Sequence, residues 1–207
     1  HELLFRQHLA DRAALRPQTG IQPLLQTARQ LAEPLPPLAR RRDPHQQDLD
    51  LGPFVERIAL QIEMSAADPD LVVTTTCKIP VTARIDPYHL EEVLHILASN
   101  TMKHGRATLG KTHLIFSVQE NSEGLPVISA SDNGVGIREE IVRNLFDPFV
   151  STKSSTGLGL FLARQLCELN GASLRLGDTN HETGAIFSIV MKPAAEPSET
   201  MGSHQRE

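Results

Sequence analysis

The chain has 207 residues, enough for one well-buried domain with an appendage or for two small domains. With 40% hydrophobic and 22% charged residues it reads as an ordinary globular protein, and a formal net charge of -5 with no compensating basic stripe argues against a nucleic-acid binder. No stretch approaches the roughly 18 consecutive apolar residues of a membrane helix and no signal peptide opens the chain, so any membrane part is expected outside these residues, which start at His1 and read as a piece of a longer protein.

Residues 1–49 differ from the rest. Pro17, Pro23, Pro34, Pro36, Pro37 and Pro44 and the run Arg40–Arg42 break them into short helical pieces, about 1–15 and 21–33, which read as an appendage or linker. Residues 50–192 form the domain, and 193–207 a polar, disordered tail. Inside the domain, Phe54, Val55, Ile58, Ala59 and Ile62 predict a helix over 53–66. The β-branched runs at 71–76 and 78–85 predict a hairpin. Asp86 reads as an N-cap with Pro87 at the first helical position, opening a helix to His104 that stops at Gly105. Strands are expected at about 112–119 and 125–131, a short helix at 138–145, a lid-like stretch, a helix at 157–170, and strands at 172–177 and 184–191. This order predicts an α/β (α+β) sandwich whose mixed, mostly antiparallel sheet is covered by helices on one face. Cys77 and Cys167, each within an apolar run, read as core residues of a protein in a reducing cytoplasm.

Four stretches carry chemistry. In residues 90–105, LEEVLHILASNTMKHG, Leu90, Val93, Leu94 and Leu97 form the buried stripe, and Ile96, Asn100, Lys103 and His104 gather on a neighbouring face. An amide oxygen is a hard ligand suited to Mg²⁺, and the cations can meet phosphate oxygens; the same face reads equally well as a solvated polar surface. In VISASDNGVGI, residues 127–137, a strand runs into Asp132, whose carboxylate can accept from an exocyclic amine such as that of adenine, with Gly134 and Gly136 letting a flat ligand approach the backbone. Taken alone, Asn133-Gly134 reads more readily as a hairpin turn than as part of a binding site.

In FDPFVSTK, residues 146–153, Phe146 and Phe149 are expected to pin a loop into the core, with Pro148 stiffening it. Ser151, Thr152 and Lys153 stay polar, and Lys153 can neutralise a terminal phosphate or simply face water. In TGLGLFLARQLCELNG, residues 156–171, Leu158, Leu162, Leu166 and Leu169 suggest the apolar stripe. Gly157 and Gly159 bare the N–H groups of a helix N-terminus, a polyphosphate cradle.

In this order, SNTMKHG, DNGVGI, FDPFVSTK and GLGLFLARQL resemble the four nucleotide-binding boxes of the catalytic ATP-binding domain of sensor histidine kinases, and TGAIFSIV resembles that family's final strand. The resemblance spans about 50–192 and implies a Bergerat-type fold using ATP with Mg²⁺. It implies that Asn100 is the Mg²⁺ ligand, that Lys103 and His104 lie near the phosphates, and that Asp132 reads the adenine amine beside Gly134, Gly136 and Ile137. Phe149, Thr152 and Lys153 would belong to the lid, with Lys153 near the γ-phosphate, and Gly157, Leu158, Gly159 and Leu160 would flank the polyphosphate.

The implied reaction moves the γ-phosphoryl group to a histidine on a helical hairpin and then to a response regulator receiver domain, in a full-length homodimer that meets a membrane only through parts outside these residues. His1 beside Glu2 resembles the family's phosphoacceptor opening, but Phe5 and Arg6 stand where an Asn or Thr and a Pro are usual. His8 is a further candidate. Ile96 stands where many members carry a second asparagine, and the segment 149–157 is a short lid. The alternative is a nucleotide-binding regulatory module of the same fold lacking phosphotransfer; an ATPase or serine kinase of that fold is a third reading.

Overall fold

Asp86 caps the helix Pro87–His104 in the computed structural model, which describes residues 43–66, 68–104, 110–150, 157–177 and 184–194. Its Oδ1 accepts from the backbone N–H groups of Tyr88 (2.9 Å) and His89 (3.4 Å), two donors that a helix start leaves without internal partners. In chain order the elements are β1 (Gln47–Asp50), α1 (Leu51–Ser65), β2 (Leu71–Cys77), β3 (Thr82–Ile85), α2 (Pro87–His104), β4 (Thr112–Glu120), β5 (Pro126–Asp132), α3 (Glu139–Val142), α4 (Gly159–Leu169), β6 (Ser173–Leu176) and β7 (Ile186–Val190). The helical pieces expected in residues 1–42, with His1 and His8, and the tail from 195 onward lie outside the described residues.

Five strands form one sheet in the order β2-β4-β5-β7-β6; β2 and β4 are parallel and every other neighbouring pair is antiparallel. Register gathers the apolar side chains on one face. Leu114, Phe116 and Val118 oppose Asp132, Ala130 and Ile128, and the last two oppose Phe187 and Ile189. These inward residues are buried, together with Val55 and Ile58 of α1, Leu90, Leu94 and Leu97 of α2, and Ala163 and Leu166 of α4. Each large aliphatic or aromatic side chain so buried contributes about 1.5–3 kcal/mol. The opposite face carries hydroxyls, with Thr76 bonded to Ser117 (2.9 Å) and Ser129 to Ser188 (3.0 Å). The sandwich, the mostly antiparallel sheet and the one-sided helical cover are as the sequence pattern implies.

Several expectations need correction. Residues 71–85 are not a hairpin: β2 pairs in parallel with β4, and β3 pairs with β1 in a separate two-stranded sheet. Parallel pairing sets Leu71 and Val73 beside Thr112 and Leu114 on the buried face, a non-local gain that no pattern within 71–85 encodes. The helix expected at 138–145 is the four-residue α3; none of its residues is buried and its N-cap, Arg138, makes no side-chain cap bond. On α4 the fully buried side chains are Ala163, Leu166 and Cys167, while Leu169 is 46% exposed, so the stripe is rotated from the leucine spacing toward the small residues that α2 can approach closely. Cys77, at the end of β2 where burial fades, is exposed, with its thiol 3.1 Å from the Ile79 carbonyl. Cys167 is buried, as expected, and burial is the main cause of its thiol being pushed up to about 12.

Candidate functional site

Asp132 is the last residue of β5 and stands on the inner face opposite Leu114, where only 9% of it is exposed. Its Oδ1 accepts from the backbone N–H of Gly134 (2.9 Å) and of Ala185 (3.2 Å); among the described residues both of the side chain's hydrogen bonds fall on this one oxygen. Burial raises its carboxyl above the ordinary value, and the two backbone donors work in the opposite direction. Asn133 is no hairpin turn residue: its side chain accepts from the N–H of His113 (2.8 Å) and donates to the carbonyl of Lys111 (3.0 Å), fastening the end of β5 to the start of β4. Gly136 has φ +72°, whereas Gly134 is not left-handed and is buried.

Two residues of this site escaped the sequence reading. Gly184 has φ +74°, and a Cβ there would overlap the carbonyl oxygen of Asp132 and approach its Oδ1 to 2.5 Å. Ala185 then supplies its backbone N–H to that Oδ1 and its carbonyl to the Asp132 N–H (3.1 Å). The one available signal was a glycine directly before the last apolar strand.

Asn100 and the glycine-rich helix start come together from α2 and α4, which pack antiparallel. A Cβ on Gly159, the first residue of α4, would stand 3.4 Å from Ile96 Cγ2 and 3.9 Å from Asn100 Oδ1. The Asn100 Nδ2 is buried and, among the described residues, has no hydrogen-bond partner, a condition that ordinarily costs about 1–3 kcal/mol unless a ligand relieves it. Leu158, the N-cap, contributes no side-chain cap bond, and Leu160 follows in the first turn. Gly157 is left-handed (φ +67°), and a side chain there would collide with the backbone of Phe149 and Val150. Lys103 and His104 are exposed in the last turn of α2, where cations also suit the helix dipole.

The stretch before α4 only partly fits its expectation. Phe146 meets Phe187 edge to face at 6.3 Å, with the Arg164 guanidinium 5.8 Å from its ring centroid. Phe149 is not pinned in the core: it is 57% exposed and adopts φ 67°, and the stretch is tied instead by its N–H to the Gly157 carbonyl at 3.0 Å. Main-chain pairing sets the loop base and leaves the ring outside. Ile137 is half-buried beside Gly136. Ser151, Thr152 and Lys153 lie outside the described residues. The structure thus brings Asn100 to Gly159 at one place and ties Asp132 to Gly134 and Ala185 at another.

The family model described as histidine kinase-, DNA gyrase B-, and HSP90-like ATPase matches residues 85–195. Sensor protein kinase PilS of Pseudomonas aeruginosa is 32% identical over 161 residues, 71% of this chain and 28% of that protein. Sensor histidine kinase ZraS of Klebsiella oxytoca is 27% identical over 160 residues, 75% of this chain and 33% of that protein. The chain therefore spans a third or less of the length of these relatives. Among solved structures, full-length ShkA in complex with AMPPNP matches with a TM-score of 0.62 at 20% identity, over 76% of this chain and 35% of that one. The nucleotide-free catalytic domain of histidine kinase ThkA matches with a TM-score of 0.62 at 20% identity, over 72% of this chain and 97% of that one. Both carry the same fold. Because the family model covers every element from α2 to β7, just over half of the sequence, the chain belongs to the histidine kinase-, DNA gyrase B-, and HSP90-like ATPases.

Proposed function

We propose that this chain is the ATP-binding catalytic part of a two-component sensor histidine kinase, transferring the γ-phosphoryl group of ATP to a histidine for relay to an aspartate of a response regulator receiver domain. The observation that carries the reading is the Asp132 carboxylate. With Oδ1 occupied by two backbone donors, Oδ2 is the oxygen left to accept the adenine amine, and it repels the carbonyl that guanine presents at that position. A hydrogen bond to a charged acceptor is worth about 1.5–3 kcal/mol, enough to select the base. Gly134, Gly136 and Ile137 follow it around the base.

The residues present fit Mg²⁺: Asn100 Oδ1 is a hard oxygen ligand beside a helix start whose first residue lacks a side chain. When bound, the ion neutralises phosphate charge. The chain itself contributes the backbone from Gly157 through Leu160 at the start of α4, the cations Lys103, His104 and Lys153, and the lid residues Phe149 and Thr152. In the transfer the bond from the γ-phosphorus to the β-bridging oxygen breaks as the lone pair of one histidine ring nitrogen forms a bond to phosphorus, the proton on the other ring nitrogen passes to solvent, and ADP leaves; positioning and charge neutralisation supply the rate. The acceptor is His1, His8 or a histidine beyond these residues, and the relay assigns the domain to the cytoplasm, as part of a homodimer. Among the described residues no helix is long and apolar enough to cross a membrane.

A second reading, a nucleotide-binding switch without phosphotransfer, is favoured by Ile96, an apolar side chain one turn before Asn100 and against Gly159. Incubation with γ-labelled ATP and a receiver domain separates the two. Acid-labile, base-stable label on the chain, or on a helical hairpin bearing an acceptor histidine added to the mixture, supports the kinase; acid-stable label points to a serine kinase; nucleotide binding with neither labelled supports the switch and overturns phosphotransfer.

A further inference from the structure

The far end of the α2–α4 pair holds two buried polar side chains outside the nucleotide site. Asn170, the C-cap of α4, and Asp86, the N-cap of α2, are 2% and 5% exposed. Asn170 Oδ1 accepts from the Asp86 N–H (2.9 Å), and its Nδ2 donates to the Leu166 carbonyl (2.8 Å) and meets His89 Nδ1 at 3.0 Å. These bonds fix the amide orientation, so His89 Nδ1 is the acceptor. The segment leading into β1 grips the same corner: the Gln46 side chain donates to the Asn170 carbonyl (2.9 Å), and the His45 N–H donates to Asp86 Oδ2 (2.7 Å).

The helices run from this corner to the nucleotide site. Asn100 lies about 21 Å along α2 from Asp86, and Gly159 about 17 Å along α4 from Asn170, at ~1.5 Å rise per residue. Between them Leu90, Val93, Leu94 and Leu97 of α2 and Ala163 and Leu166 of α4 are buried. A packed interior is stiff, so a shift of one helix against the other at Asn170 reappears as a changed separation of Asn100 and Gly159. We infer that Asn170 is a positioning residue for the nucleotide site, and that the segment at His45–Gln46, through its hold on the Asp86–Asn170 corner, sets how tightly nucleotide is bound. This rests on the assignment of Asn100 and Gly159 to that site.

The test uses the full chain with Mg²⁺ and a non-hydrolysable ATP analogue, titrated by calorimetry well below the unfolding midpoint. Gln46→Ala removes one bond at the surface of the corner, His89→Ala one inside it, and Asn170→Ala the centre; Asp132→Asn is the control for the site. Gln46→Ala and His89→Ala should lower affinity a few-fold to about thirtyfold with the midpoint nearly unchanged, and should speed amide hydrogen exchange at Leu162–Leu166, the first hydrogen-bonded amides of α4, while β4 and β5 keep their protection. If the corner variants lower only the midpoint and leave affinity intact, Asn170 is a structural clamp and the inference fails. If the unaltered chain binds no analogue, the site reading fails with it; if it binds and Asp132→Asn weakens it, the site stands and the corner variants alone decide.

Discussion

Gly184 lies so close to Asp132 that a single methyl group on it would overlap the aspartate's carbonyl oxygen. The contact holds the last strand against the end of β5 and lets Ala185 present its N–H to Oδ1. Gly184→Ala therefore meets two penalties, a left-handed backbone and a backbone collision. Gly110 and Gly124 are left-handed as well but open around the missing Cβ, so their alanine variants isolate the conformational part, about 1–2 kcal/mol. Gly184→Ala should destabilise by about 1–3 kcal/mol beyond those controls and weaken ATP binding. Urea denaturation of the three variants checks this, and equal losses in all three would remove the close approach from the account.

Asp132→Asn should separate fold from binding. The amide oxygen can keep both backbone donors, from Gly134 and Ala185, while its NH₂ replaces Oδ2 and faces the adenine amine donor to donor. Losing a charged acceptor, worth about 1.5–3 kcal/mol, corresponds to an affinity about 10- to 150-fold weaker. Calorimetry with ATP reads this directly, with near-native circular dichroism expected; unchanged affinity would sink the role given to Asp132.

The same carboxyl predicts two pH effects of opposite benefit. Its folded-state pKa is raised by burial, so the native protein holds a proton that the unfolded chain has already released. Its contribution to stability is fully present below the ordinary carboxylate range and is lost as pH rises through the raised value. On the role proposed for Asp132, ATP binding should behave the other way: the charged acceptor exists only as carboxylate, so affinity should fall as pH drops through that raised value. Denaturation midpoints and ATP affinity measured across acidic pH should show both limbs in the native protein. Neither limb should survive in Asp132→Asn.

The two cysteines should react at very different rates. Cys77 is exposed, and Cys167 is buried with its thiol pushed up to about 12, so it offers almost no thiolate near neutral pH. A colorimetric disulfide reagent should titrate one thiol quickly in the folded protein and the second only on unfolding. Fast reaction of both would mean that α4 is not seated on α2 as described.

How much was legible followed from how local each cause was. The bounds of α2 could be read because Asp86, Pro87 and the Leu90–Leu97 stripe act within one helix, and the place of Asp132 at a strand's end because an apolar run stops there at Asp-Asn-Gly. The pairing of β2 was illegible, since its partner β4 is chosen by the face that becomes buried. Gly184 and Ala185 were missed because the atom that constrains them, on Asp132, is remote in sequence, and Phe149 because a main-chain bond to Gly157 rather than its ring closes the loop. Asn170 looked like the end of a leucine-rich helix; its role appears only when Asp86 and His89 stand beside it.

Gly159 offers the sharpest separation of stability from function. A methyl there meets Ile96 Cγ2 at 3.4 Å and Asn100 Oδ1 at 3.9 Å, ordinary contacts, and Gly159 is not left-handed. Gly159→Ala should therefore be tolerated by the fold and, through helix propensity, raise stability by up to about 1 kcal/mol. The same methyl would fill the space between the Asn100 amide and the first turn of α4, where the metal and phosphates are expected, and an affinity loss of about tenfold corresponds to a disturbance of about 1.4 kcal/mol. Denaturation and Mg²⁺-ATP titration on one preparation decide the matter: a more stable protein that binds ATP less well supports a glycine kept for ligand approach, whereas a more stable protein with full affinity would mean that the phosphates pass elsewhere.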